Sequence, residues 1–267
     1  LRVSTGIYTL ISHGCVWAIL LAVTTQQHIS SEPAPIRGIF NINKPLGLTS
    51  MMVCRVIKGK LKSGGAPKKV KVGHGGTLDP LASGVLVVLI GRATKEQDRI
   101  MGTDKAYRAV VDLANTSESC DMEFDPIPAE IEREPTLDEV RAACDVFVGD
   151  IEQTPPMYSA IKVDGHRAYA LARKGVDVEM KSRPARIDSI EIVGYEWPML
   201  EIEIKCGKGT YIRSLARDIG AELEVGGMLA SLVRTAVGGF SLDDAMTLEE
   251  IGEPLDPWDL PTDGLDD

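Results

Sequence analysis

Six consecutive apolar residues, Val85 to Ile90, constrain the fold of this 267-residue chain more than any other feature. A strand with one wet face alternates apolar and polar side chains. An unbroken run of this length marks a strand buried on both faces. What precedes it is equally distinctive: a short strand at Val70 to Val72, then the glycine-rich loop Gly73-His74-Gly75-Gly76-Thr77-Leu78-Asp79-Pro80. Glycines let a backbone turn tightly and let a ligand approach it closely.

The rest of the pattern mixes periods of two and 3.6. Gly38 to Asn43 alternates as a strand and ends in a Lys44-Pro45-Leu46-Gly47 turn. Ser50 is placed to cap a helix reaching about Lys62, with Val53, Val56, Ile57 and Leu61 on its apolar face. Tyr107 to Leu113 reads as a strand, and Thr136 opens a helix with Leu137, Val140, Ala143 and Cys144 inward. A short helix is expected near Tyr169 to Lys174. A hairpin follows from Ile187–Trp197 and Leu200–Cys206, turning at Pro198. A last helix runs from Tyr211 with Ile212, Leu215, Ala216, Ile219 and Leu223 as its apolar stripe. Strands and helices are interspersed without a regular βαβ repeat, which makes the fold class α+β with a mixed sheet.

Charge is segregated along the chain. The net charge is −10, yet residues 51 to 78 hold seven bases and no acid, while 118–152 carry twelve acids against two bases and 243–267 ten acids and no base. An acidic protein with one basic face can bind a polyanion. The five cysteines are scattered, none in a C-x-x-C pair, so neither a disulfide framework nor a zinc ribbon is indicated, and a reducing cytoplasm is the simplest setting. No metal site is expected.

The ends read as separate from residues 37–250. The apolar stretch 7–25 has the form of a secretory signal, is too interrupted for a membrane span, and is best read as a dispensable extension or an upstream start, joined through the linker Ser30–Pro35. Residues 251–267 read as an acidic tail lying on the surface.

Known phosphate and nucleophile motifs fail: the loop is not G-x-G-x-x-G, and no G-x-S-x-G occurs. Two readings of Asp79 stay open: a helix N-cap with Pro80 at the first helical position, or a carboxylate nucleophile offered on a glycine-rich loop. His74 could be structural, or could stack against or replace a nucleobase. Tyr107 is either a core aromatic or a stacking platform. Arg213 sits at the edge of a buried stripe and needs a carboxylate partner, for which Asp79 is a candidate. A glycosidase would need a second acid, and none is evident.

Taken together, these pieces resemble the TruB family of tRNA pseudouridine synthases. Residues 71–86 are similar to the family's catalytic motif and Asn43–Gly47 to its opening segment. Lys105–Arg108, Gln153–Gly165, Lys208–Arg213 and Ser231–Thr235 match further blocks in order. The resemblance implies a largely antiparallel central sheet flanked by helices. It implies Asp79 as nucleophile, Arg213 as its partner, Tyr107 on the target uracil, His74 in place of the everted base, and Tyr211 and Leu232 lining the pocket. It implies uridine 55 in the T arm of tRNA as substrate, with no cofactor, metal or obligatory protein partner, in a cytoplasmic monomer. Arg55, Lys58, Lys68, Lys69 and Lys71 would then contact RNA phosphates. Three departures stand out: Gly75 where the family has a hydroxyl or other small residue, which is expected to loosen the loop, a loose match at Thr116–Phe124, and an apparently missing C-terminal RNA-binding domain. The alternatives are a non-catalytic RNA chaperone and a guide-dependent synthase acting on rRNA.

Overall fold

In a computed structural model of the protein, residues 35–159, 161–163, 166–172 and 180–264 are described; the apolar stretch 7–25 lies outside them. The chain runs through β1 (Arg37–Lys44), α1 (Ser50–Ser63), β2 (Val72–His74) and β3 (Ala82–Gly91). A 3-10 turn and α2 (Gln97–Gly102) lead to β4 (Lys105–Asp112), the two-residue strands β5 (Asn115–Thr116) and β6 (Ile127–Pro128), and α3 (Leu137–Val146). Next come β7 (Gly149–Gln153), β8 (Lys162–Val163), β9 (His166–Arg167) and α4 (Ala168–Ala172). The hairpin of β10 (Arg183–Glu196) and β11 (Met199–Cys206), then α5 (Ile212–Glu222), β12 (Met228–Val237) and β13 (Phe240–Ser241) complete the order.

The architecture is α+β. One sheet runs β1-β3-β12-β4-β11-β10-β7, with β2 added to β3 and β13 to β12. Every pairing in it is antiparallel except that of β3 with β12. The unbroken apolar run of β3 is explained by its two covers. Leu86, Val88 and Ile90 pack with Val53, Ile57 and Leu61 of α1, while Val85, Val87 and Leu89 pack with Ala93 and Ile100 on the opposite face. A third cluster joins β4, β11 and β12 to α5 through Ala109, Val111, Ile202, Ile204, Leu215 and Ile219.

Several local expectations change. Thr49, not Ser50, caps α1, its hydroxyl accepting from the Met52 amide. Val56 and Leu137 point outward, 39% and 36% exposed, because each lies a step beyond the buried arc of its helix. Asp79-Pro80 starts no helix: the residues after it enter β3, where burial on both faces outweighs the capping signal. The C-terminal acidic segment is anchored where it runs along the surface. Leu248 and Ile251 are buried beside α1, and Leu255 and Leu260 pack on the same cluster. The Ile39 amide donates to Pro261 and the Asn43 amide to Met246, so this segment covers the outer edge of β1.

The parallel contact of β3 and β12 is a close one at Gly84. It sets Leu232 beside Ala82 and Arg234 beside Gly84, while the antiparallel contact of β12 with β4 sets Leu232 beside Ala109 and Arg234 beside Tyr107. Gly84 has φ +101°, and a Cβ there would fall 2.2 Å from the Arg234 carbonyl oxygen. Gly84→Ala is therefore expected to lose about 2–4 kcal/mol of unfolding free energy, measured by urea denaturation.

Candidate active site

The loop that carries Asp79 is held by its own backbone. The Arg234 guanidinium donates to the carbonyls of Gly76 (3.2 Å) and Thr77 (3.1 Å). Ser50 Oγ donates to the Leu78 carbonyl at 2.9 Å and accepts from the Leu78 amide at 2.8 Å. The Asp79 carbonyl accepts from the Ala82 amide, and the Pro80 carbonyl accepts from the Gly47 amide and from Lys44 Nζ. Five consecutive carbonyls thus have partners, two of them sharing Arg234 and the others drawn from α1, the start of β3 and the turn after β1. Gly75 does not loosen this loop. Its amide donates to Val87 at 2.8 Å, and a Cβ would stand 2.3 Å from Ile100 Cγ2, so the absent side chain is what lets Ile100 close over it.

Asp79 meets Arg213 as the edge-of-stripe position suggested. Arg213 Nε lies 3.1 Å from Asp79 Oδ2, with the arginine side chain 6% exposed and the carboxylate 39%. The rest of the guanidinium is fully engaged: Nη1 donates to the Ser119 carbonyl at 3.1 Å and lies 3.6 Å from Asp121 Oδ2, and Nη2 donates to the Tyr158 carbonyl at 2.9 Å. The start of α5 is itself pinned, since Gln153 both donates to the Tyr211 carbonyl and accepts from its amide, and Ser214 Oγ donates to Thr154. A guanidinium fixed at both ends presents one carboxylate in one orientation.

Asp79, Arg213, Leu81, Ala82, Asp121, Met122 and Leu229–Leu232 line a single cleft. Leu232 lines this cleft, whereas Tyr211 is not among its lining residues. Asp121 supplies the second acid that the sequence did not reveal, although it is tied to Arg213, the Ser119 hydroxyl and the Glu123 amide. Tyr107 is half-buried across from Arg234; burial pushes its phenol pKa up, and the Arg234 charge opposes the shift. Burial likewise raises the Tyr211 phenol, which senses the charges of Asp79 and Arg213. His74 sits on β2, half-buried, with its pKa lowered by burial and then by Arg234, which favours the uncharged ring.

Of the expected RNA-contacting bases, Lys69 and Lys71 line an open groove with Arg92 and Lys95, Lys68 adjoins it, and Arg55 and Lys58 lie on the outer side of α1. Lys60 turns away from them and donates to the Ile251 carbonyl at 2.8 Å. The sequence reading missed Lys44, Asp121, Gln153 and Arg234. Lys44 is fully buried, its ammonium on the carbonyls of Pro45 and Leu48, and burial lowers its pKa to about 8 against the pull of Asp79. The only sequence signal for these four was membership of compared segments: Lys44 in Asn43–Gly47, Gln153 and Arg234 in two later blocks, and Asp121 in the loosely matching Thr116–Phe124. Asp79→Asn is expected to change stability by at most about 1 kcal/mol, because its carboxylate is partly solvated. Arg213→Met, by leaving Asp121 buried without its cation, is expected to cost about 3–5 kcal/mol in the same denaturation experiment.

The sequence model of the TruB family pseudouridylate synthase N-terminal domain matches residues 65–212, and that of the tRNA pseudouridylate synthase B C-terminal domain matches residues 213–261. A tRNA pseudouridine synthase B from Clostridium kluyveri is 45% identical over 215 residues, 79% of this chain and 71% of that protein. One from Phocaeicola vulgatus is 43% identical over 222 residues, 83% of this chain and 94% of that protein. Among solved structures, a Cbf5-Nop10-Gar1 complex contains a chain that superposes with a TM-score of 0.62 at 30% identity, over 80% of this chain. The present chain spans about half of that one, 53%. With these matches, and with a glycine-rich loop carrying Asp79, a paired arginine and an apolar cleft set on this sheet, the chain belongs to the TruB family of pseudouridylate synthases.

Proposed function

We propose that this protein converts uridine to pseudouridine in tRNA, at position 55 of the T arm, with Asp79 as the nucleophile. The observation that carries this reading is the Asp79–Arg213 contact at 3.1 Å inside a cleft walled by Leu81, Leu229 and Leu232. The relatives named tRNA pseudouridine synthase B support the RNA class.

The isomerisation breaks the bond from ribose C1′ to uracil N1, turns the base, and forms a bond from C1′ to C5. No atom of the nucleotide is lost except the C5 proton, which exchanges with solvent, and N1 gains one. A carboxylate assists by attacking C1′ or uracil C6, and Arg213 keeps it aimed while it does so. The base must first leave its stack for a pocket with a ring face and apolar walls. Tyr107 supplies the ring face and Leu232 a wall. His74, whose environment favours the uncharged ring, is suited to take the everted base's place in the RNA, since a flat uncharged ring stacks without a counter-charge. Arg55, Lys58, Lys68, Lys69 and Lys71 contribute phosphate contacts and hence a salt-dependent affinity. On this reading the protein acts as a cytoplasmic monomer on tRNA alone, without a guide.

The test is tritium release from a tRNA transcript labelled at uracil C5, with position-resolved detection of the product. Wild type is expected to release label from one T-arm uridine without added guide RNA, and Asp79→Asn to release none above background. Tight tRNA binding with no release from wild type would instead indicate a chaperone, and release that persists in Asp79→Asn would remove Asp79 from its role.

A further inference from the structure

Arg234 lies at the centre of the fold, 2% exposed, yet among the described residues no carboxylate stands within ion-pairing distance of it. It donates to three backbone carbonyls, and the Tyr107 phenol lies beside it. Nε donates to Val85 at 2.8 Å, Nη1 to Thr77 at 3.1 Å and Nη2 to Gly76 at 3.2 Å. Burying a cation without a counter-charge is unfavourable, and a neutral side chain filling the same space would cost less. What only a guanidinium offers here is a planar fork that reaches two separate segments at once. One is the loop 76–77, between His74 and Asp79. The other is β3 at Val85, beyond Asp79. The residue itself belongs to β12, directly opposite Tyr107 of β4.

We propose that Arg234 is a positioning residue for the reaction: its fork ties the loop bearing His74 and Asp79 to the central strand beside Tyr107, so that the carboxylate and the ring are held in one frame. Gly84 serves the same contact by letting the β12 backbone come close to β3. Arg213 orients the carboxylate from the α5 side, and Arg234 fixes the backbone beneath it. The charge of Arg234 also reaches His74, whose pKa it lowers in addition to the effect of burial. This inference rests on the function proposed above.

The test compares wild type, Arg234→Lys and Arg234→Gln in the full chain with a T-arm stem-loop transcript. Lysine keeps the charge but cannot span both segments. Arg234→Lys is expected to lower the single-turnover rate about 100-fold while the RNA dissociation constant stays within about threefold. By NMR titration, the His74 pKa should remain low in Arg234→Lys and rise in Arg234→Gln, so that a rate loss already present in the lysine variant is assigned to the lost fork and not to the lost charge. Should neither variant fold, the clamp is read in wild type as a slowly exchanging Arg234 Nε–H in 15N spectra, displaced by Tyr107→Phe. A rate in Arg234→Lys within about threefold of wild type, a loss confined to RNA affinity, or a rapidly exchanging Nε–H would overturn the proposal. Inactive wild type would instead overturn the isomerase reading, and the inference with it.

Discussion

Five successive carbonyls, from Gly76 to Pro80, each accept a hydrogen bond from outside the loop or from the strand that follows it. That satisfaction is what a half-exposed carboxylate on a glycine-rich loop requires if it is to occupy one position. Glycine gives the loop freedom to adopt its path, and the loss of that freedom must be balanced by contacts. They come from three directions: Ser50 at the start of α1, the Lys44–Gly47 turn after β1, and Arg234 on β12. Much of the sheet can be understood as the means by which these three reach one segment. Arg213 then completes the arrangement from α5, where Ser119, Asp121 and Tyr158 leave it no freedom to follow the carboxylate into solvent.

The residues of the candidate site are more legible in the sequence than the frame that holds them. Asp79 and Arg213 were paired on a charge argument, since an arginine beside an apolar stripe needs an acid, and the pair is present. β3 was legible because two-faced burial leaves an unbroken apolar run. β12 was not, although it lies at the centre of the sheet. Its sequence, Met228 to Val237, interrupts the apolar pattern with Ser231, Arg234 and Thr235, and a buried arginine looks the same in a sequence as a solvated one. The reading of Asp79 as a helix cap failed for a related reason. Local capping chemistry is worth about 1 kcal/mol, less than the burial of a ten-residue strand on both faces. Asp121 was hidden among twelve acids in a stretch whose bulk charge suggested only a solvated face.

The segregation of charge acquires a physical meaning in the fold. The basic residues of 51–78 lie on α1, in the loop after it and on the approach to β2, next to the glycine-rich loop. The acidic C-terminal segment is bound along the edge of β1 and the end of α1 through Leu248, Ile251, Leu255 and Leu260. Its attachment consumes Lys60, whose ammonium is satisfied by the Ile251 carbonyl, and leaves Lys69 and Lys71 on the open groove with Arg92 and Lys95. Edge protection and charge placement are thus served by one segment.

The most direct measurement is a crystal structure of the Asp79→Asn protein with a T-arm RNA. The expected result is an everted uridine against Tyr107 and Leu232, its C1′ or C6 about 3–3.5 Å from the side chain at position 79, with His74 in the vacated stack and Arg213 unmoved. A target base that stays stacked in the RNA, or a nucleotide bound away from the cleft between Asp79 and Leu232, would contradict the assignment.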